Sequence, residues 1–175
     1  MIRRNTKFIF FGFICVFSAF LFSCCSTGND LFAYSKESFT AEIEGSVDGI
    51  SVKATAYVEK KEGESQERIM TVRYHYPESL EGLVISIYPD GNVKSRLGEI
   101  TLNDGAFYGL ASPFLSICPD GEFSSVSYDG EGNATVIFSD NKKNLKYHFE
   151  NGTSLPKKIE GVISGRQILL HIRKK

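Results

Sequence analysis

The 175-residue chain holds only three histidines and four cysteines, and it lacks every short motif that usually announces an enzyme. Each shortage excludes something. His75 sits between Tyr74 and Tyr76, His148 between Tyr147 and Phe149, and His171 between Leu170 and Ile172. In an extended chain each ring then points away from the side its apolar neighbours occupy, toward solvent. No two of them have metal-ligand spacing, so neither a zinc site nor a histidine base is expected. There is no G-x-S-x-G, no Gly-rich phosphate loop and no C-x-x-C. Ser154 to Lys157 has the S-x-x-K form and Ser139-Asp140-Asn141 the S-D-N form of penicillin-binding enzymes. They occur in reversed order, in turns, and without K-T-G, so chance accounts for them. The Asp-Gly pairs at 48–49, 90–91, 104–105, 120–121 and 129–130 lack the D-x-[DN]-x-[DN]-G spacing of a calcium loop and read as turns. No catalytic residue, metal or cofactor follows from the residues, and enzymatic activity is not expected.

Long apolar runs are scarce as well. The first seven residues carry Arg3, Arg4 and Lys7 and no acid, and Phe8–Phe22 is apolar or small throughout. That is the secretory pattern of a basic head and a short apolar stretch. The stretch has 15 residues, whereas a bilayer-spanning helix takes about 20. It ends in Leu21-Phe22-Ser23-Cys24, which resembles the bacterial lipobox: an aliphatic residue three places before the cysteine and a small one directly before it. The resemblance implies cleavage before Cys24 and a diacylglycerol on its sulfur. The protein would then sit in the bacterial cell envelope, on the outer face of the cell membrane or, in a diderm, on the outer membrane. Two acyl chains at about 0.8 kcal/mol per buried methylene hold a protein where one does not. Cys15 would leave with the signal. Cys118 reads as a small buried hydrophobe, and a Cys25–Cys118 bridge is the alternative in an oxidising compartment.

Basic excess is missing too. Residues 1–23 carry three basic groups and no acid, so their removal leaves 17 Lys and Arg (20 less three) against 21 Asp and Glu, a net charge of −4. That balance argues against nucleic acid or an anionic lipid surface as the main partner. The remaining length of about 150 residues suits one domain. The expected division is a signal segment at 1–23, a lipidated tether with a short helix at 24–38, and a single β domain at 39–175.

What the chain does have is alternation. Phe39, Ala41, Ile43 and Val47 take one phase, and Asp48-Gly49 separates them from Ile50, Val52, Ala54, Ala56 and Val58. A two-residue Asp-Gly link between alternating runs is a hairpin signal. A charged loop at Lys60–Gln66 leads to a strand near Glu67–Tyr76, with Met70, Val72, Tyr74 and Tyr76 in phase. Further strands are expected at Leu83–Tyr88, Val93–Leu97, Glu99–Leu102, Phe123–Tyr128, Ala134–Ser139, Leu145–Glu150, Lys157–Ser164 and Gln167–Arg173. Short strands between turns, without intervening long helices, predict an antiparallel sheet.

The alternation fails over Asn103–Gly121. There Ser112 as N-cap and Pro113 at the first helical position predict a helix of one or two turns, stopped by Pro119 and Gly121. Phe107, Tyr108, Leu110, Phe114, Leu115 and Ile117 concentrate in this break. About ten or eleven strands with one apolar face must curl, close or be covered. The expected fold is therefore mainly β with few short helices: a strongly curved antiparallel sheet, or unclosed β-barrel, around a short helical plug.

A leading helix, a hairpin opening on Phe-Thr-Ala (Phe39–Ala41), a Tyr-His-Tyr-Pro strand end (Tyr74–Pro77), a central helical break and a strand-rich second half resemble the lipoprotein-localisation carrier superfamily. The resemblance is one of layout over residues 31–173. It implies an unclosed barrel with helices plugging an apolar cavity that receives acyl chains. The expected function is then non-catalytic binding of an apolar ligand, whether acyl chain, lipid or lipidated peptide, by a membrane-anchored lipoprotein. Candidate ligand-binding residues are the inward-facing Val72, Tyr74, Leu83, Ile85, Phe114 and Ile117, and Cys24 is the anchor. The alternative is a structural or assembly lipoprotein with a filled core, meeting an envelope protein partner through its outer face.

Overall fold

The structure is a computed structural model that describes residues 28–60, 68–103, 105 and 107–175. The expected signal segment, Cys24, Cys25, residues 61–66 of the charged loop and Asp104 of one Asp-Gly pair lie outside the described residues. Eleven antiparallel strands form one sheet among the described residues, in the order β6-β5-β4-β3-β2-β1-β11-β10-β9-β8-β7. They are β1 (Phe39–Val47), β2 (Ile50–Lys60), β3 (Arg68–Tyr76), β4 (Val84–Ile87), β5 (Val93–Leu97) and β6 (Ile100–Leu102), then β7 (Ser125–Tyr128), β8 (Ala134–Ser139), β9 (Lys143–Phe149), β10 (Lys158–Ile163) and β11 (Arg166–Lys174). Two meanders meet where β1 pairs with β11, and the far edges β6 and β7 do not pair, so the barrel is open. This is the curved, unclosed sheet that the alternation predicts.

Parity dictates which side chains go inside. The cross-strand registers align Phe39, Val58, Met70, Ile87 and Val93 in one row, and Ala41, Ala56, Val72, Ile85 and Ser95 in the next. All ten are buried. In the other meander Val136, Tyr147, Ile159 and Leu170 make a continuous buried row. The hairpin between β1 and β2 turns at Asp48 (φ 50°) and Gly49 (φ 77°), the two left-handed positions a tight primed turn requires. The row of alternate side chains fails at one predicted place. A bulge places His75 as an extra residue in β3 opposite the Lys53–Ala54 step of β2, so Tyr74 faces Ala54 while Tyr76 faces Lys53. Tyr76 is thereby turned outward and is 47% exposed, instead of continuing the inner phase of Met70, Val72 and Tyr74.

Two glycines let the strands approach. A Cβ at Gly45 would lie 1.9 Å from the Leu169 carbonyl oxygen, and one at Gly161 would lie 2.0 Å from that of Asn144. No other residue type fits at either point without moving a neighbouring strand.

Helical segments cover the concave face. The first is a 3-10 helix, Gly28–Lys36. Its Phe32 stacks edge-on against Phe138, Tyr147 and Phe149 at 5.3–5.4 Å between ring centres. From Leu31 on, the helix belongs to the compact unit Leu31–Lys175, which contains the buried core of the described residues. The second is the plug. It begins as an α-helical turn at Tyr108–Ala111 and continues as a 3-10 helix, Ser112–Ile117. The expected start at Ser112 is thus four residues late, and Ser112 is no N-cap: it has helical dihedrals and closes the first turn, its backbone N–H donating to the Tyr108 carbonyl. Pro113 is inside the run. Its ring nitrogen cannot donate to the Gly109 carbonyl four residues back. Arg166 Nη1 from β11 donates there instead, helped by Ser112 Oγ at 3.4 Å.

Candidate functional site

Three buried tyrosines reach from the core to the backbone of the plug. Tyr74 Oη donates to the Leu110 carbonyl at 2.7 Å, Tyr147 Oη to Ser116 at 2.8 Å and Tyr34 Oη to Ile117 at 2.6 Å. Burial pushes the Tyr74 phenol up to about 12 and raises those of Tyr34 and Tyr147 as well. All three remain protonated donors at any physiological pH. The carbonyls they meet lie along the helical run of the plug, Leu110 in its first turn and Ser116 and Ile117 at its end.

This arrangement decides where the six predicted ligand residues stand. Val72, Tyr74, Leu83, Ile85, Phe114 and Ile117 are brought together, each at most 2% exposed. The Tyr74 and Phe114 rings meet edge-to-face at 5.7 Å, Val72 pairs with Ile85 across β3 and β4, and Tyr74 N donates to Leu83 O at 2.9 Å. They form a packed layer between sheet and plug, and none of them borders the open cleft described next. A ligand reaching them would have to displace the plug.

Beside that layer lies open space. A cleft of about 520 Å³ runs between the inner faces of β2–β4 and the side of the plug. Val58, Met70 and Ile87 line its floor; Tyr88, Pro89 and Gly91 form one wall; Tyr108, Leu115 and Cys118 come from the plug side. Its size falls within the range of about 300–1,000 Å³ typical of small-molecule sites, and the lining is mostly apolar. Cys118 is buried, forms no disulfide among the described residues, and burial raises its thiol to about 11, so it lines the cleft as a hydrophobe and not as a thiolate.

Arg68 and Asp120 stand at the mouth. Arg68 Nη2 donates to Asp120 Oδ1 at 2.6 Å while Nη1 donates to the Ser35 carbonyl at 3.0 Å, tying β3 to the first helix and to the exit of the plug. Asp120 is 87% exposed, and exposed ion pairs contribute about 0–1 kcal/mol, so this contact is easily opened. Neither residue carries a sequence signal, because they are 52 positions apart and become neighbours only through the fold. Met70 was legible as an inward residue and Leu115 as part of the apolar break. That these two border open space while Val72 and Phe114 do not depends on where the plug rests.

A separate shallow hollow lies on the outer face, between His148, Lys158 and His171. His75, at the bulge, bonds Thr55 at 2.8 Å. His148 Nε2 meets Glu160 Oε1 at 2.9 Å, and Lys158 Nζ meets its other oxygen at 2.7 Å. Lys158 first and His148 second hold the Glu160 carboxyl down at about 2. Among the described residues no group of three His, Cys, Asp or Glu side chains is placed to hold a metal ion, and no helix is long and apolar enough to cross a membrane.

No protein-family profile matches the chain, and no curated protein sequence matches it significantly. Solved structures do. An uncharacterised conserved protein from Thermus thermophilus superposes with a TM-score of 0.50 at 14% identity, over 84% of this chain and 85% of that one. MucB superposes with a TM-score of 0.51 at 12% identity, over 87% of this chain but 57% of MucB, so this chain spans little more than half of it. These two share the fold. A LolA superfamily protein from Nitrosomonas europaea aligns more loosely, with a TM-score of 0.38 at 12% identity over 85% of this chain and 92% of that one.

Proposed function

We propose that the domain is a non-catalytic, stoichiometric binding protein for an apolar ligand, an acyl chain, lipid or lipidated peptide. The carrying observation is the cleft of about 520 Å³ between β2–β4 and the plug, apolar on floor and roof, with the Arg68–Asp120 pair among its lining residues. Transfer of apolar surface from water, at about 25 cal/mol per Å², supplies the affinity without any reacting group. The six buried residues around Phe114 extend this site if the plug yields, since a plug that moves is a lid. The chain would be held at the envelope by lipid on Cys24. Cys24→Ala should accumulate as full-length, unacylated precursor, readable by its mass; normal processing of that variant removes the anchor from this reading.

The test of binding is native mass spectrometry on residues 26–175, which include the whole described core. An added mass of lipid size, released on unfolding, is expected. Leu115 is only half-buried at the cleft wall, so Leu115→Glu should abolish the added mass while lowering Tm by no more than a few degrees. Persistence of the lipid in that variant would mean that the ligand sits elsewhere.

A second reading is a filled core that serves an envelope protein partner through the outer face and open edges. It draws on the tyrosine-pinned plug and on β6, whose Ile100 and Leu102 are 66% and 38% exposed on an unpaired edge. A clean mass with no uptake of offered lipids would favour it.

A further inference from the structure

Arg68 belongs to two clefts at once. On one side is the apolar cleft; on the other is a second hollow of about 390 Å³, lined by Ser35, Lys36, Lys60, Arg68, Pro119, Asp120 and Gly121. The character changes completely across that side chain. Among the described residues the second hollow offers the cations Lys36, Lys60 and Arg68 against the carboxylate of Asp120, in a chain whose acids outnumber its bases. Lys36 and Lys60 are exposed, and Arg68 is fixed by its bond to the Ser35 carbonyl, so its guanidinium is already oriented. The anion it meets among the described residues, the Asp120 carboxylate, is held loosely at the surface.

We propose that the two hollows form a single bipartite site for an anionic amphiphile, with its chain in the apolar cleft and its carboxylate or phosphate beside Arg68 between Lys36 and Lys60. Asp120 then acts as a stand-in for the ligand's anion and is displaced when the ligand enters. An anion here meets a pre-oriented guanidinium capable of paired N–H contacts, with two lysines as flexible point charges. Chain and head are recognised by separate surfaces, so neither alone defines the ligand. This rests on the reading of the apolar cleft as a ligand site, and the experiment separates the two.

The probes are decanoate, decyl phosphate and 1-decanol, which share a chain and differ in head, each displacing the neutral dye N-phenyl-1-naphthylamine from residues 26–175. Decanoate or decyl phosphate should bind at least about tenfold more tightly than decanol, the scale of one charge-assisted contact. The stronger of the two acids identifies a fatty acid or a phosphorylated lipid as the source. The double variant Lys36→Gln/Lys60→Gln should cut the anions' advantage over decanol several-fold, leaving the part that Arg68 supplies, and Asp120→Asn should tighten the anions several-fold by releasing Arg68. Equal affinity for all three probes overturns the bipartite site while leaving the apolar cleft in place. Anion preference indifferent to both variants overturns it too, because the anion then sits elsewhere. Binding of none of the probes overturns the cleft reading itself.

Discussion

Gly161→Ala should lower the stability of the domain by about 4 kcal/mol, adding backbone strain to overpacking. Gly161 has φ 136° on β10, and the added methyl would lie 2.0 Å from the Asn144 carbonyl oxygen and 3.1 Å from the Leu145 Cα. All of those are backbone atoms of β9, which cannot step aside as a flexible side chain would. The same argument without the dihedral strain gives Gly45→Ala a cost of about 3 kcal/mol, since its methyl would lie 1.9 Å from the Leu169 carbonyl oxygen. For a domain of this length about 4 kcal/mol is a fall in Tm of roughly 10 °C, measurable by thermal or urea unfolding. Gly152→Ala is the control: it shares a positive φ of 77° but has nothing within 4 Å of the new methyl. If Gly161→Ala costs no more than Gly152→Ala, the strands are not wedged together there and the account of the sheet's close approach fails.

Removing two hydroxyls should have a comparable effect. In the double variant Tyr34→Phe/Tyr147→Phe the ring packing against Phe32 is retained, but the Ile117 and Ser116 carbonyls lose their tyrosine donors. A buried acceptor left without a partner costs about 1–3 kcal/mol, so the pair should cost about 2–5 kcal/mol. The two sites share a neighbour in Phe32, and their effects need not add. Hydrogen exchange supplies the more discriminating readout: amides of the plug should exchange faster than those of β2 or β11. A loss spread evenly over the domain would mean that the plug and sheet open only together. An unchanged stability would mean that apolar contact alone seats the plug, and would strengthen its reading as a lid over Val72, Leu83 and Ile85.

Much of the architecture is legible because strands have a period of two. The positions of β5 and β8, the Asp48-Gly49 hairpin and the inward parity of Val72, Tyr74 and Ile85 follow from alternation and turn chemistry. What alternation does not carry is anything set by one strand's approach to another. The bulge that turns Tyr76 outward inserts His75 into β3, and it is defined only by the register against Lys53 and Ala54 of β2. The Gly109 carbonyl that Pro113 cannot satisfy is met by Arg166, 57 residues away. Likewise the candidate site was half visible. Parity identifies which side chains face inward, but not which of them the plug covers, so Phe114 and Ile117 were legible as apolar and Arg68 and Asp120 not legible at all.

The pairing of β1 with β11 has a consequence for the order in which this protein can be assembled. Ala41 pairs with Lys174 and Val47 with Ile168, so the strand made first waits for the strand made last. Until then a chain emerging N-terminus first has only a six-stranded ribbon with an apolar concave side and no second half to lean on. The seam in the middle of the finished sheet is the longest-range strand pairing among the described residues, and such contacts are slow to close. During that interval the half-made sheet is the form most in need of a holding factor, and the one most prone to join another copy of itself.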